Sequence, residues 1–300
     1  MTEDQQFRVA SRCELLPFLM SLPLKLSRKE AKNLLRFRSV TVPRRTIPRY
    51  DTRLEPGDIV TIAARKQMRD AALERHGVRI LHLDDAVVVI DKPAGLLSMG
   101  SERDKERTAH RILNEHLKAL TKSSRQQAFI VHRLDRETSG LMLFARNEST
   151  QAALQRNWKN VTKRYLAVVE GAPSKADGTL KDNLVESKSF KVHRVEKGGE
   201  LAIMHYRVLR RHGDKSLLEL TLETGRKNQI RVQLAALGHP IIGDRKYGAR
   251  TDPARRLALH SCELKFRHPV SGALMEFRAA LPGRLKALTE HRRSARGDGG

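Results

Sequence analysis

The sequence predicts an α+β fold: a mixed, mainly antiparallel sheet with flanking helices, preceded by a small basic α/β module. Three observations carry this. Strands and helices alternate without a regular βαβ period. Hairpin signals recur, the last around Pro269 and Gly272. Leu218, Leu220 and Leu222 alternate with Glu219, Thr221 and Glu223, the pattern of a strand in a sheet with one wet face. At 300 residues the chain has room for about two domains.

The first 14 residues show no strong periodicity and are read as an N-terminal segment. A module follows over 15–63. Ser27 is a good N-cap, and Glu30 completes a capping box. The helix that follows turns Ala31, Leu34 and Leu35 inward and spreads Arg28, Lys29, Lys32 and Arg36 over its other face. Val40-Thr41-Val42 is a short strand, Arg44, Arg45 and Arg49 lie in a Pro-punctuated loop, and Leu54 to Ile62 is a turn followed by an alternating strand. A Ser-Arg-x-x-Ala helix, a short strand and then Pro-Gly-Asp-Ile-Val resemble an S4 RNA-binding domain. Phe37-Arg38-Ser39 stands where such domains usually carry a glycine, and Pro43 replaces the usual Asn. Residues 64–77 read as a charged linker with helical propensity.

The second domain is expected over 78–285. Val87-Val88-Val89-Ile90 is β-branched and fully apolar, hence a central strand, and Pro93 and Gly95 stop it. Ser101 to Arg107 is a charged loop. Thr108 caps a helix with Leu113, Leu117 and Leu120 on one face. Phe129-Ile130-Val131 is a short strand, and Leu141 to Ala145 is a buried one. A helix from about Ser149 sets Leu154 and Trp158 at i, i+4. Lys163 to Glu170 is a strand closed by Gly171. Residues 174–200, rich in Lys, Gly and Ser, read as an insertion or weak hairpin. A helix after Gly225 places Ile230, Leu234 and Leu237 on one face and ends at Gly238 and Pro240. Glu263–Phe266 and Leu274–Phe277 form the last hairpin. The Arg- and Gly-rich tail over 286–300 is expected to be disordered.

Composition narrows the function. The 58 Lys+Arg against 34 Asp+Glu give a formal charge of +24, which calls for a polyanionic partner. Nucleic acid comes first, since neutralising phosphates releases counterions. A membrane partner is not expected: no apolar run approaches the ~20 residues needed to span a bilayer. Two cysteines far apart, and a polar N-terminus unlike a secretory signal, suit a reducing cytoplasm. A monomer is expected, because no coiled-coil pattern or long apolar exposed segment occurs. Neither metal-ligand spacing nor a phosphate-cradling loop with a Walker lysine is present, so no cofactor and no metal are expected.

The densest chemistry lies at His132 to Gly140, where Asp135 sits between arginines on a turn leading into a core strand. Read alone, Asp135 is either a structural ion-pair partner of Arg133 or Arg136 or a nucleophile. A carboxylate can attack a sugar carbon, and a lone one without a partner acid suits a reaction in which the leaving group is kept and reattached. His132 reads as a structural histidine, and Lys92 as a side chain facing water beside a turn.

His132-Arg133-Leu134-Asp135-x-x-Thr138-Ser139-Gly140-Leu141 resembles the catalytic motif of the RluA-type RNA pseudouridine synthases. Three further segments agree in order: Asp91-Lys92-Pro93-Ala94-Gly95-Leu96, Lys163-Arg164-Tyr165-Leu166-Ala167, and Thr224 to Val232 with Gly238 to Asp244 and Tyr247-Gly248. The resemblance covers about 80–282 and implies the pseudouridine synthase fold. It also implies roles. Asp135 is the nucleophile that breaks and re-forms the bond between uracil and ribose. Arg231 pairs with it, holding it ionised and oriented. Tyr165 stacks on the target base and assists a later proton transfer. Arg133 helps extrude the uridine, a step chemistry on a stacked base requires. Loops such as 101–107 hold flanking phosphates. Lys227-Asn228 stand where the family often has Thr-His, and Gln233 where it often has His. The expected substrate is structured RNA, with ribosomal RNA favoured over transfer RNA. The alternative is a catalytically inactive RNA-binding or ribosome-assembly factor, against which the intact Asp135, Tyr165 and Arg231 argue.

Overall fold

The structure, a computed structural model, describes residues 5–24, 26–36, 40–42, 49–62, 73–100, 107–121 and 127–290. The chain divides into two compact units, Met1–Arg79 with Ile112–Arg125 and Ile80–Arg111 with Gln126–Gly300.

The smaller unit contains β1 (Gln5–Arg8), β2 (Cys13–Glu14), α1 (Leu15–Ser21), α2 (Arg28–Arg36), β3 (Val40–Thr41), β4 (Arg53–Leu54) and β5 (Ile59–Ile62). Its sheet has the order β1-β5-β3, with β2 and β4 paired separately. The segment before residue 15 is thus part of the module: Gln5 to Arg8 pair with Ile62 to Ile59. Gln-Gln-Phe-Arg buries only alternate residues halfway, too weak a pattern to register as a strand in the sequence. Leu15, Leu19, Ala31, Leu34, Leu54, Val60 and Ile62 form one core, fed by the inward faces of α1, α2 and β5. Arg28 and Lys32 are exposed on α2, and the side chains of Lys29 and Arg36 lie outside the described ones. So do the arginines at 44 and 45, residues 63–72 of the linker, the loop at 101–106 and the tail from 291.

The larger unit is built on one eleven-stranded sheet. Its strands are β6 (Arg79–Leu83), β7 (Val87–Lys92), β8 (Phe129–Ile130), β9 (Ser139–Ala145), β10 (Thr162–Glu170), β11 (Asp177–Glu186), β12 (Val192–Val195), β13 (Glu200–His212), β14 (Lys215–Leu222), β15 (Leu259–Arg267) and β16 (Leu274–Arg278). Its helices are α3 (Ala109–Thr121), whose later residues group with the smaller unit, α4 (Glu148–Arg156), α5 (Gln229–Ala236) and α6 (Gly283–Lys286). The order is β12-β11-β13-β14-β10-β15-β9-β7-β6, with β16 on β15 and β8 on β9. Pairing is mainly antiparallel, while β9 and β15 run parallel through Ser139–His260 and Gly140–Ser261. All seven residues of β9 are buried. Burying each large apolar side chain contributes about 1.5–3 kcal/mol, so this strand anchors the sheet.

Three expectations change. Residues 174–200 do hold a hairpin, β11 with β12, but not a weak one: β11 runs ten residues and also pairs with β13 from Asp177–Arg207 to Leu184–Glu200. Its more buried face carries only Leu180 and Leu184 among Gly178 and Asp182, too sparse an apolar pattern to stand out. Trp158 is not on the helix, which ends at Arg156; it starts a 3-10 turn and stacks on His132 at 4.4 Å between centroids. Lys92 does not face water and is fully buried.

Candidate active site

The loop from His132 to Thr138 connects β8 to β9 and is held from behind by the segment after β7. The Ser98 hydroxyl donates to the Leu134 carbonyl at 2.7 Å and accepts from the Leu134 amide at 3.0 Å. The Gly95 amide donates to the Arg136 carbonyl at 2.8 Å. Lys92 Nζ donates to the carbonyls of Pro93 (2.9 Å), Leu96 (2.7 Å) and Arg136 (3.3 Å). Three acceptors match the three N–H groups of an ammonium, while burial pushes its pKa down to about 7. His132 Nε2 accepts from the Leu143 amide at 2.9 Å, and burial pushes its pKa down to about 3. The imidazole is therefore neutral and occupied by the backbone.

The end of the loop is fixed by a close crossing of β9 and β15. Gly140 has φ +113, and a Cβ there would lie 2.2 Å from the Ser261 carbonyl oxygen. Ser139 on the same crossing bonds His260 Nδ1 at 2.9 Å and accepts from Arg256 at 2.7 Å. Beside it, β10 and β15 slip register between Arg164, opposite Glu263, and Tyr165, opposite Ser261. Such bulges re-aim side chains. Tyr165 is buried, and its phenol is within hydrogen-bond reach of Ser261. Burial raises its pKa well above the ordinary value, so the phenol is protonated at neutral pH.

From the other side, Thr224 to Asn228 turn β14 into α5. Gln229 Oε1 accepts from the Arg226 amide at 3.0 Å and the Thr224 hydroxyl at 2.8 Å, closing the turn. Asn228 precedes the helix in the left-handed region, φ +52, which Asn tolerates better than most residues. Its side chain makes no cap bond and faces Asp135 instead. A carboxylate only accepts, so the amide end facing it is the nitrogen. It lies 2.8 Å from Asp135 Oδ2 and 3.3 Å from Oδ1, and the amide oxygen accepts from the Tyr247 hydroxyl at 3.0 Å.

Arg231, in the first turn of α5, meets two carboxylates. Its Nε and Nη2 donate to the two oxygens of Asp244, both at 2.7 Å, while Nη1 reaches Asp135 Oδ2 at 3.5 Å. Asp244 is therefore the closer partner and Asp135 the looser one. Burial disfavours the Arg231 charge, but Asp244 and then Asp135 outweigh it and hold its pKa above the ordinary value. The guanidinium also lies 5.1 Å from the Tyr247 ring centroid. Asp135, Arg231 and Tyr165 line one cleft with Asn228, and Arg133 lies exposed on the same cleft. Gln233 ties the helix to the sheet, donating to Asp182 at 2.8 Å and to the carbonyls of Leu180 and Ala202. Among the described residues, no group of three His, Cys, Asp or Glu could hold a metal.

Asp244, Asn228, Tyr247 and Ser261 were not assigned roles from the sequence. Asp244 was the one with a signal: a helical arginine that is to be buried needs a bidentate partner, and Gly243-Asp244 follows it by 13 residues.

A family model of RNA pseudouridylate synthases matches residues 86–236. An uncharacterized RNA pseudouridine synthase of Bacillus subtilis, YlyB, is 35% identical over 247 residues, 80% of this chain and 82% of that protein. The ribosomal large subunit pseudouridine synthase D of Vibrio cholerae is 33% identical over 287 residues, 88% of this chain and 86% of its own. The chain belongs to the RNA pseudouridine synthase family. The solved structure of human RNA pseudouridylate synthase domain containing 4 matches with TM-score 0.59 and 26% identity, covering 72% of this chain and 94% of that one. As a member of the family the chain is an isomerase that converts uridine to pseudouridine in RNA. Among the described residues no helix is long and apolar enough to cross a membrane.

Proposed function

We propose that this pseudouridine synthase acts through Asp135 as nucleophile on uridines of structured RNA, ribosomal RNA first and transfer RNA second. The observation that carries the reading is the convergence of Asp135, Arg231 and Tyr165 on one cleft, although they lie on a loop, a helix and a strand far apart in sequence. The carboxylate attacks the ribose carbon, and the N-glycosidic bond breaks with its electron pair leaving on uracil N1. The uracil turns within the cleft, C5 bonds to the same carbon and the carboxylate departs. The proton on C5 is lost and N1 takes one up, so substrate and product are isomers. Arg231 orients Asp135 and is itself held by Asp244. Asn228 completes the carboxylate's surroundings.

Tyr165 stacks on the extruded base, its phenol protonated and beside Ser261. Arg133, exposed on the cleft, enters the RNA in place of the extruded uridine. The names of the Vibrio relative and of its counterparts in other bacteria favour ribosomal RNA of the large subunit. In the smaller unit, Arg28 and Lys32, exposed on α2, bind RNA in the manner of an S4-like module, and Lys29 and Arg36 of the same helix are assigned to the same role. The chain works as a cytoplasmic monomer. Mapping pseudouridines in RNA from cells with and without this protein tests the reading. At least one position should lose its pseudouridine without the protein and regain it with the wild-type gene. Unchanged maps in both RNA classes would sink it.

A further inference from the structure

The hairpin between β11 and β12 ends in a feature that protein packing does not explain. The Ser187 amide donates to the Lys191 carbonyl at 2.8 Å, and the Phe190 amide to the Ser187 carbonyl at 2.9 Å. This is a three-residue loop, Lys188-Ser189-Phe190, whose last position takes φ +58. Glycine is the usual occupant there, because a Cβ in the left-handed region costs about 1–2 kcal/mol. A phenylalanine instead, 70% exposed, gains almost no burial in return.

The surroundings are basic. Lys227 Nζ lies 5.3 Å from the Phe190 ring centroid and pairs with Glu186. Lys246 donates to the Phe190 carbonyl at 2.9 Å. Lys191 and Lys246 each lie 5.8 Å from the Tyr247 ring, and Lys188 is exposed at the tip. The tip is also tied to the cleft. The Val192 amide donates to the Tyr247 hydroxyl at 3.2 Å, and that hydroxyl bonds Asn228, which touches Asp135. Leu184, Val192, Ala202 and Val232 form a small core beneath, with Tyr247 packed on it, so the hairpin is fixed to α5.

We propose that Phe190 is a stacking platform for an unpaired base of the RNA, flanking the uridine in the cleft, and that Lys188 holds the adjoining phosphate. This rests on the RNA reading of the same cleft. Aromatic faces bind any base, and lysines around them neutralise the backbone. A protein partner would need apolar area around the ring; lysines surround it instead.

The test uses the full-length chain and an unmodified transcript of large-subunit ribosomal RNA. Phe190→Gly fits the backbone, so it should melt no lower than wild type. It should nonetheless need about tenfold more RNA for half-maximal pseudouridine formation, with an unchanged rate at saturation. Phe190→Trp should restore wild-type behaviour. Stacking displaces no counterion, so Phe190→Gly should keep the salt slope of binding, whereas Lys188→Ala should reduce it by about 0.7. Affinity is also read by retention of the RNA on Asp135→Asn protein, with and without Phe190→Gly. If the wild type makes no pseudouridine, the catalytic reading fails while the platform is still judged from retention. RNA affinity of Phe190→Gly within twofold of its parent overturns the platform. A loss confined to the saturating rate, not rescued by Trp, overturns it as well.

Discussion

Removing the charge of Asp244 separates a positioned Arg231 from a merely nearby one. The Asp244 side chain is 1% exposed and that of Arg231 12%, and two 2.7 Å bonds join them. Asp244→Asn keeps the shape but leaves a buried guanidinium with one carboxylate, Asp135, at 3.5 Å. Breaking a buried pair by removing one partner costs about 3–5 kcal/mol. Asp135 offsets part of this, so the lower end, about 3 kcal/mol, is expected. For a unit of this size that lowers the melting temperature of the larger unit by about 6–12 °C. The freed guanidinium moves toward Asp135, and a misplacement of about 1 Å is worth on the order of 100-fold in rate. Differential scanning calorimetry and single-turnover pseudouridine formation, run well below the transition, read both effects. An Asp244→Asn protein melting within about 2 °C of wild type would refute the claim that Asp244 carries Arg231.

Three further outcomes follow from the same geometry. Asn228→Ala removes a donor to Asp135 from a buried side chain whose backbone is left-handed, so stability should fall by about 1–2 kcal/mol while the single-turnover rate falls at least about tenfold, one hydrogen bond to a charged group being worth roughly 1.5–3 kcal/mol; Asn228→Asp, a second carboxylate 2.8 Å away, should be slower than Ala. Gly140→Ala places a Cβ 2.2 Å from the Ser261 carbonyl at φ +113, so the variant should be largely insoluble, and a soluble protein with wild-type melting would contradict the crossing. Lys92 has a folded pKa of about 7, below the ordinary 10.5 of the unfolded chain, so the unfolded state binds more protons between these values. Its contribution is fully present above 10.5 and lost as pH falls through about 7, so stability from this group rises across that window. Urea titrations should show that rise in wild type and a smaller one in Lys92→Met.

What could be read in the sequence was what repeats or contrasts. The apolar run that became β9, the alternation in β14, the 3.6-residue pattern of α5 and the closing hairpin were legible because burial is one-sided or complete there. β1 and β11 were not, since short strands, or strands with few apolar residues on the buried face, carry a weak period and are held by backbone bonds to β5 and β13. Asp135, Arg231 and Tyr165 stood out in a row of motifs, and the fold brings all three to one cleft. Their surroundings were less visible. A motif marks Arg231 but not which of two carboxylates sits nearer, and Asp244 takes the fork. Lys92 next to Pro and Gly looks like a turn residue on water; only the fold shows three carbonyls converging on its ammonium. Asn228 read as a departure from a pattern, whereas its left-handed backbone aims the amide at Asp135.

The most direct measurement is pseudouridine formation by Asp135→Asn in RNA from cells lacking the protein. The substitution keeps size and hydrogen-bonding shape and removes the nucleophile. Nucleoside mass spectrometry on the treated RNA should show no pseudouridine above the untreated level, while filter binding shows the RNA retained as well as by wild type. Turnover by Asp135→Asn within tenfold of wild type would contradict the account at its centre.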